Sequence, residues 1–150
     1  EGVRDRAGRL KVGVVAMAVA AWGTVLTGTW IVYPWYREPL AVQGEDPYAG
    51  CQELSLPDPE TCSPRDFLLS NVRGETEAWH TFGMEWKEHV AWLSPILATL
   101  VAFIVLYYGA GLIRHDRLRK TTLLLFVLAF AFAAIAGVFG ALITKTAPLV

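Results

Sequence analysis

Three uncharged apolar stretches, Val12–Tyr33, Val90–Ile113 and Thr121–Thr144, constrain this chain more than any other feature. Each exceeds the roughly 20 residues that an α-helix needs to cross a ~30 Å hydrocarbon layer at about 1.5 Å per residue. Helices of a water-soluble domain keep a polar face, and these stretches have none. The expected fold class is an all-α integral membrane protein: three transmembrane helices plus an extracytoplasmic loop domain with one short amphipathic helix.

Charge is sorted along the chain although the net value is only -1. The segment 1–11 carries Arg4, Arg6, Arg9 and Lys11, and the segment 114–120 carries Arg114, Arg117, Arg119 and Lys120. Between the first two stretches, acidic side chains from Glu38 to Glu88 face only Arg37, Arg65, Arg73 and Lys87. Short basic segments stay on the cytoplasmic side. The expected organisation is a cytoplasmic tail 1–11, spans 12–33, 90–113 and 121–144, an acidic extracytoplasmic loop 34–89, a cytoplasmic basic loop 114–120 and an extracytoplasmic end 145–150. That is a multi-pass protein of the cell (inner) membrane. The first apolar run is longer than a signal-peptide core of about 7–15 residues and ends in Tyr33-Pro34-Trp35-Tyr36, so it reads as an uncleaved anchor.

Cys51 and Cys62 are the two cysteines of the chain, both in the acidic loop. On an exported face they are expected to form a disulfide, stabilising the loop by about 2–3 kcal/mol on the chain-entropy model. Ser63 and Pro64 read as the start of a surface helix, with Phe67, Leu68, Val72, Trp79 and Phe82 on its apolar side and Gly74 and Gly83 as interruptions. The second spanning helix is expected to begin near Met84 and to bend at Pro95.

Small residues crowd the first and third spans. Gly13, Ala16, Ala20, Gly23 and Thr27 recur at helical spacing, and the third span repeats the idea with Ala129, Ala133, Ala136, Gly137 and Gly140. Such faces let helices approach closely in lipid, where van der Waals packing replaces the hydrophobic drive. They point to partner membrane subunits, with Leu124, Phe126, Val127, Phe130 and Phe132 turned to lipid or a further partner. Trp30, Tyr33, Trp35, Tyr36, Trp86 and Trp92 read as an aromatic belt at the outer boundary.

Side chains able to do chemistry concentrate in His80-Thr81-Phe82-Gly83-Met84-Glu85-Trp86-Lys87-Glu88-His89. Glu85 precedes His89 by one helical turn and is placed to orient its ring. Three uses compete. In one, His89 ligates a b-type haem, its second axial ligand being His80, Met84 (after a reversal of the chain at Gly83) or a residue of another chain; His89 and His80 are then the metal-ligating candidates. A chlorophyll-type pigment on His89 alone is a variant of this reading. In the second, the cluster is a solvated interfacial turn of a cofactor-free structural or assembly subunit that packs against larger membrane subunits. In the third, the chain is a transporter component, which fits poorly because no charged residue lies within a span. His115 reads as a loop residue near anionic lipid.

The acidic loop disfavours nucleic acid and suits a basic soluble electron carrier, with Glu75 and Glu77 among the attracting charges. H-E-x-x-H, G-x-S-x-G and nucleotide-binding motifs are missing, so no catalytic residues are assigned and the chain is not expected to be an enzyme on its own. The favoured reading is a small membrane subunit of a respiratory or photosynthetic electron-transfer complex, with haem b on His89; the alternative is the cofactor-free structural subunit.

Overall fold

The computed structural model describes residues 2–37, 63, 65 and 76–145, and all secondary structure among them is helical. Helix α1 (Gly2–Thr27) passes through a π turn, Gly28–Val32, into α2 (Tyr33–Arg37). A second helical run starts with α3 (Thr76–Ala78), passes through another π turn, Trp79–Gly83, and continues as α4 (Met84–Tyr108) and a 3-10 turn, Gly109–Arg114. Helix α5 (Asp116–Lys145) completes the described chain. Among the described residues, three helices are long and apolar enough to cross a membrane: Asp5–Arg37, Trp79–Arg114 and Asp116–Lys145, of 33, 36 and 30 residues. The expected Cys51–Cys62 disulfide lies outside the described residues, as does most of the surface helix expected after Ser63.

The helices outrun the apolar stretches because backbone hydrogen bonding does not stop where hydropathy falls. Charged ends are sustained by pairs along the helix: Arg9 donates to Asp5 at 2.7 Å, and Arg119 and Lys120 meet Asp116 at 2.7 and 2.8 Å. Asp116 also suits the first turn of α5, where the helix dipole favours a carboxylate. Arg117, Arg119 and Lys120, expected in a loop, are therefore helical. The interruption expected at Gly83 is likewise not made; the chain stays helical from Thr76 through Tyr108. Glycine is required there for space, since a Cβ on Gly83 would stand 2.9 Å from Cε3 of Trp79 and 3.8 Å from Cδ1 of Phe139.

The chain divides into two compact units, Glu1–Val25 with Lys87–Gly137, and Leu26–Trp86 with Val138–Val150. The first has a core of small apolar side chains: Val14 and Ala18 from α1, Ala98, Val101, Ala102 and Val105 from α4, and Ala129 from α5. Residues three and four apart share a helix face, which is how short side chains line up here. Pro95 is fully buried inside α4, and its missing N–H leaves the carbonyl one turn earlier without its usual donor. Beside it Trp22 Nε1 donates to Thr99 Oγ1 at 2.8 Å, and that hydroxyl donates to the Pro95 carbonyl at 2.7 Å. The glycine-rich side of α1 takes no part in this core. Gly13, Ala16, Ala20, Gly23 and Thr27 are all exposed, and a methyl on Gly13 or Gly23 would meet nothing within 4 Å.

Candidate functional site

The polar side chains that the second unit gathers are placed by its two π turns. In a π turn the amide bonds five residues back instead of four: Tyr33 N–H reaches the Gly28 carbonyl, and Met84 N–H reaches the Trp79 carbonyl while also meeting that of Thr81. Each such turn inserts one extra residue, so the side chains beyond it are rotated by about 100° relative to an uninterrupted α-helix. Single π turns of this kind are frequent at functional sites. Here one lies immediately before the helix carrying Tyr36 and Arg37, and the other contains His80 and leads into Glu85.

Tyr36 and His80 meet in the interior of this unit, at 6% and 3% exposure. Tyr36 Oη and His80 Nδ1 are 2.7 Å apart, with ring planes within 25° and centroids 6.1 Å apart. The phenol donates when the imidazole proton is on Nε2; with the other tautomer the imidazole donates. His80 Nε2 is also buried and makes no hydrogen bond among the described residues. The Ile143 backbone also interacts with this ring. Trp79 and Phe139 flank the π turn edge to face at 5.8 Å.

One residue beyond Tyr36, the Arg37 guanidinium lies over the Tyr33 ring, 4.6 Å from its centroid, and donates to Glu85 Oε1 at 3.0 Å. Arg37, Glu85, Ser63 and Arg65 line a recess of about 430 Å³. Ser63 is buried to 1% exposure, whereas the Arg37 and Glu85 side chains remain 41% and 60% exposed. The site is thus a buried tyrosine–histidine pair together with an open recess that carries two guanidinium groups, one carboxylate and one hydroxyl.

The four residues singled out from the sequence occupy different settings. His80 is committed through Nδ1 to Tyr36. Met84 lies one turn beyond it and is half-buried, and Glu85 is held by Arg37. His89 is exposed on α4 and belongs to the other compact unit. Among the described residues there is no group of three or more His, Cys, Asp or Glu side chains placed to hold a metal ion. Sequence reading missed Tyr36, Arg37 and Arg65, and took Ser63 only as a helix cap. The adjacency of an aromatic and a cation at the end of the first span was the available signal, but the partner of Tyr36 lies 44 residues away. No protein-family model, curated protein or solved structure matches this chain.

Proposed function

We propose that the chain is a small three-span membrane subunit whose work is to pack against the helices of other membrane subunits. Its N-terminal tail and the basic segment after the second helix face the cytoplasm; the segment 34–89 and the C-terminal end lie on the opposite side. One observation carries this reading: the small-residue face of α1 is exposed along its whole length, from Gly13 to Thr27. A smooth glycine and alanine face suits close helix approach, and in lipid close approach is what holds helices together. Supporting it, only 11%, 22% and 6% of the apolar windows of the three helices are buried within the chain. Such surface needs lipid or protein around it.

Bulky replacements on that face test the reading. Gly13→Leu meets open space and Ala20→Leu lies at an exposed position, so they should leave helicity and membrane insertion unchanged while abolishing co-migration with partner subunits on a native gel. Val15→Leu, on another side of α1, should leave assembly intact. Full assembly of the Gly13→Leu, Ala20→Leu protein would rule the reading out.

A haem-bearing form of the same subunit rests on His89, whose exposure on α4 leaves its ring within reach of a neighbouring chain. An oxidised-minus-reduced spectrum of the assembled complex separates the two. Sharp α and β bands lost in His89→Ala would establish the cytochrome, and a featureless spectrum would leave the cofactor-free subunit.

A further inference from the structure

The geometry points to the recess lined by Arg37, Ser63, Arg65 and Glu85 as a binding site for a phosphate oxyanion, with Glu85 as the internal competitor that holds Arg37 when the ligand is away. All four residues belong to one compact unit, so the inference does not depend on what the chain assembles with.

Guanidinium groups recognise phosphate and carboxylate oxygens through paired N–H donors in a rigid fork. Among the described residues, two of them line this recess, together with one serine and one carboxylate. Three donor side chains suit a tetrahedral oxyanion with several acceptor oxygens better than a planar carboxylate, which offers two. Arg37 is already oriented. Its guanidinium is stacked over Tyr33 at 4.6 Å and tethered to Glu85 at 3.0 Å, so little side-chain freedom remains to be lost on binding. The tether is displaceable: its two side chains are 41% and 60% exposed, and ion pairs in such surroundings are weak. Ser63, buried to 1% exposure, lines one wall. The volume, about 430 Å³, accommodates a phosphate with part of its ester.

That chemistry is supplied equally by a phospholipid headgroup and by a soluble phosphate or phosphate ester. Trp35 lies close to Arg37 in sequence and Trp86 adjoins Glu85; both are exposed, which gives a fluorescence readout close to the recess. The full chain is purified in a maltoside detergent, which contains no phosphate, and titrated in separate arms with inorganic phosphate and with short-chain phosphatidylglycerol. Native mass spectrometry counts the bound lipid. Wild type should bind at least one probe. Arg65→Gln should weaken it about tenfold, the loss of one charge-assisted hydrogen-bonding group, while Glu85→Gln should tighten it by a similar factor. The gain in Glu85→Gln is decisive, because a misfolded protein does not bind more tightly. Lipid binding with this pattern, without phosphate binding, identifies the headgroup as the source; phosphate binding with the same pattern identifies a soluble ligand. The inference is overturned if neither probe binds to Glu85→Gln protein of wild-type helicity, or if binding is equal in wild type, Arg65→Gln and Glu85→Gln.

Discussion

The two compact units of this chain are held by different means. The unit of residues 1–25 and 87–137 is packed on alanine and valine: Ala98 and Val101 are 1% and 2% exposed, and Val14, Ala18, Ala102, Val105 and Ala129 close around them. Its buried Thr122 turns its hydroxyl to the Leu118 carbonyl on the same helix, so the polar atom asks nothing of its neighbours. The unit of residues 26–86 and 138–150 instead buries Tyr36, His80 and Ser63, and its long-range hydrogen bond, Tyr36 to His80, is buried, whereas that of the first unit, Trp22 to Thr99, is exposed. Volume decides the first unit, and satisfaction of polar groups decides the second. Packing with small side chains tolerates almost any apolar sequence of the right size, whereas a buried polar pair tolerates only its own partner.

The largest effect that could overturn this contrast is overpacking of the first core. Ala98→Phe inserts a ring where 1% exposure leaves no room, and it should destabilise the first unit by about 3 kcal/mol. Reversible unfolding in mixed micelles measures it. Ala98→Ser, which changes volume little, should cost clearly less. Equal costs for the two would mean that volume is not what this core controls.

A smaller loss, of the opposite kind, belongs to the second unit. Tyr36→Phe keeps the ring and removes only the hydroxyl 2.7 Å from His80 Nδ1. The imidazole then has a buried nitrogen without its partner, at a cost of about 2 kcal/mol. The paired change Tyr36→Phe with His80→Phe removes both polar groups and should recover part of it. Hydrogen exchange of peptides covering residues 79–86 reads the loss locally. If Tyr36→Phe exchanges as wild type does, the hydrogen bond contributes nothing and the contrast between the units collapses.

Legibility in the sequence divides along the same line. The three long helices were legible, because hydropathy over 20 or more residues reports directly on whether a polar face exists. The helix ends were not, since Asp5 with Arg9 and Asp116 with Arg119 carry helix beyond the apolar boundary. The small-residue stripe of α1 was visible, but not that the chain's own core would use Val14 and Ala18 instead. That choice depends on which face α4 presents, a tertiary matter. Of the side chains marked for chemistry, His80 and Glu85 lie in or against the polar site, for reasons the local pattern does not contain. A π turn is set by which carbonyl an amide finds, and one inserted residue redirects every side chain after it. No periodicity in Gly28–Val32 or Trp79–Gly83 announces it.

The smallest expected effect refines the account of the first unit by asking whether backbone or packing controls its turn. Gly109 ends α4 with φ +50, in the left-handed region, and is the only described residue with positive φ. A Cβ there would also lie 3.3 Å from Cε and Nζ of Lys11. Gly109→Ala should therefore cost about 1 kcal/mol, and two causes are available: the strain of a left-handed alanine and the crowding of the lysine. They separate in a double-mutant cycle with Lys11→Ala. The lysine is the flexible end of a long side chain and moves aside cheaply, so the glycine substitution should cost the same with or without it. A cost that vanishes in the Lys11→Ala background would instead make the turn a packing device. Lys11 would then be what keeps residue 109 a glycine, and packing would govern the first unit even where its backbone turns.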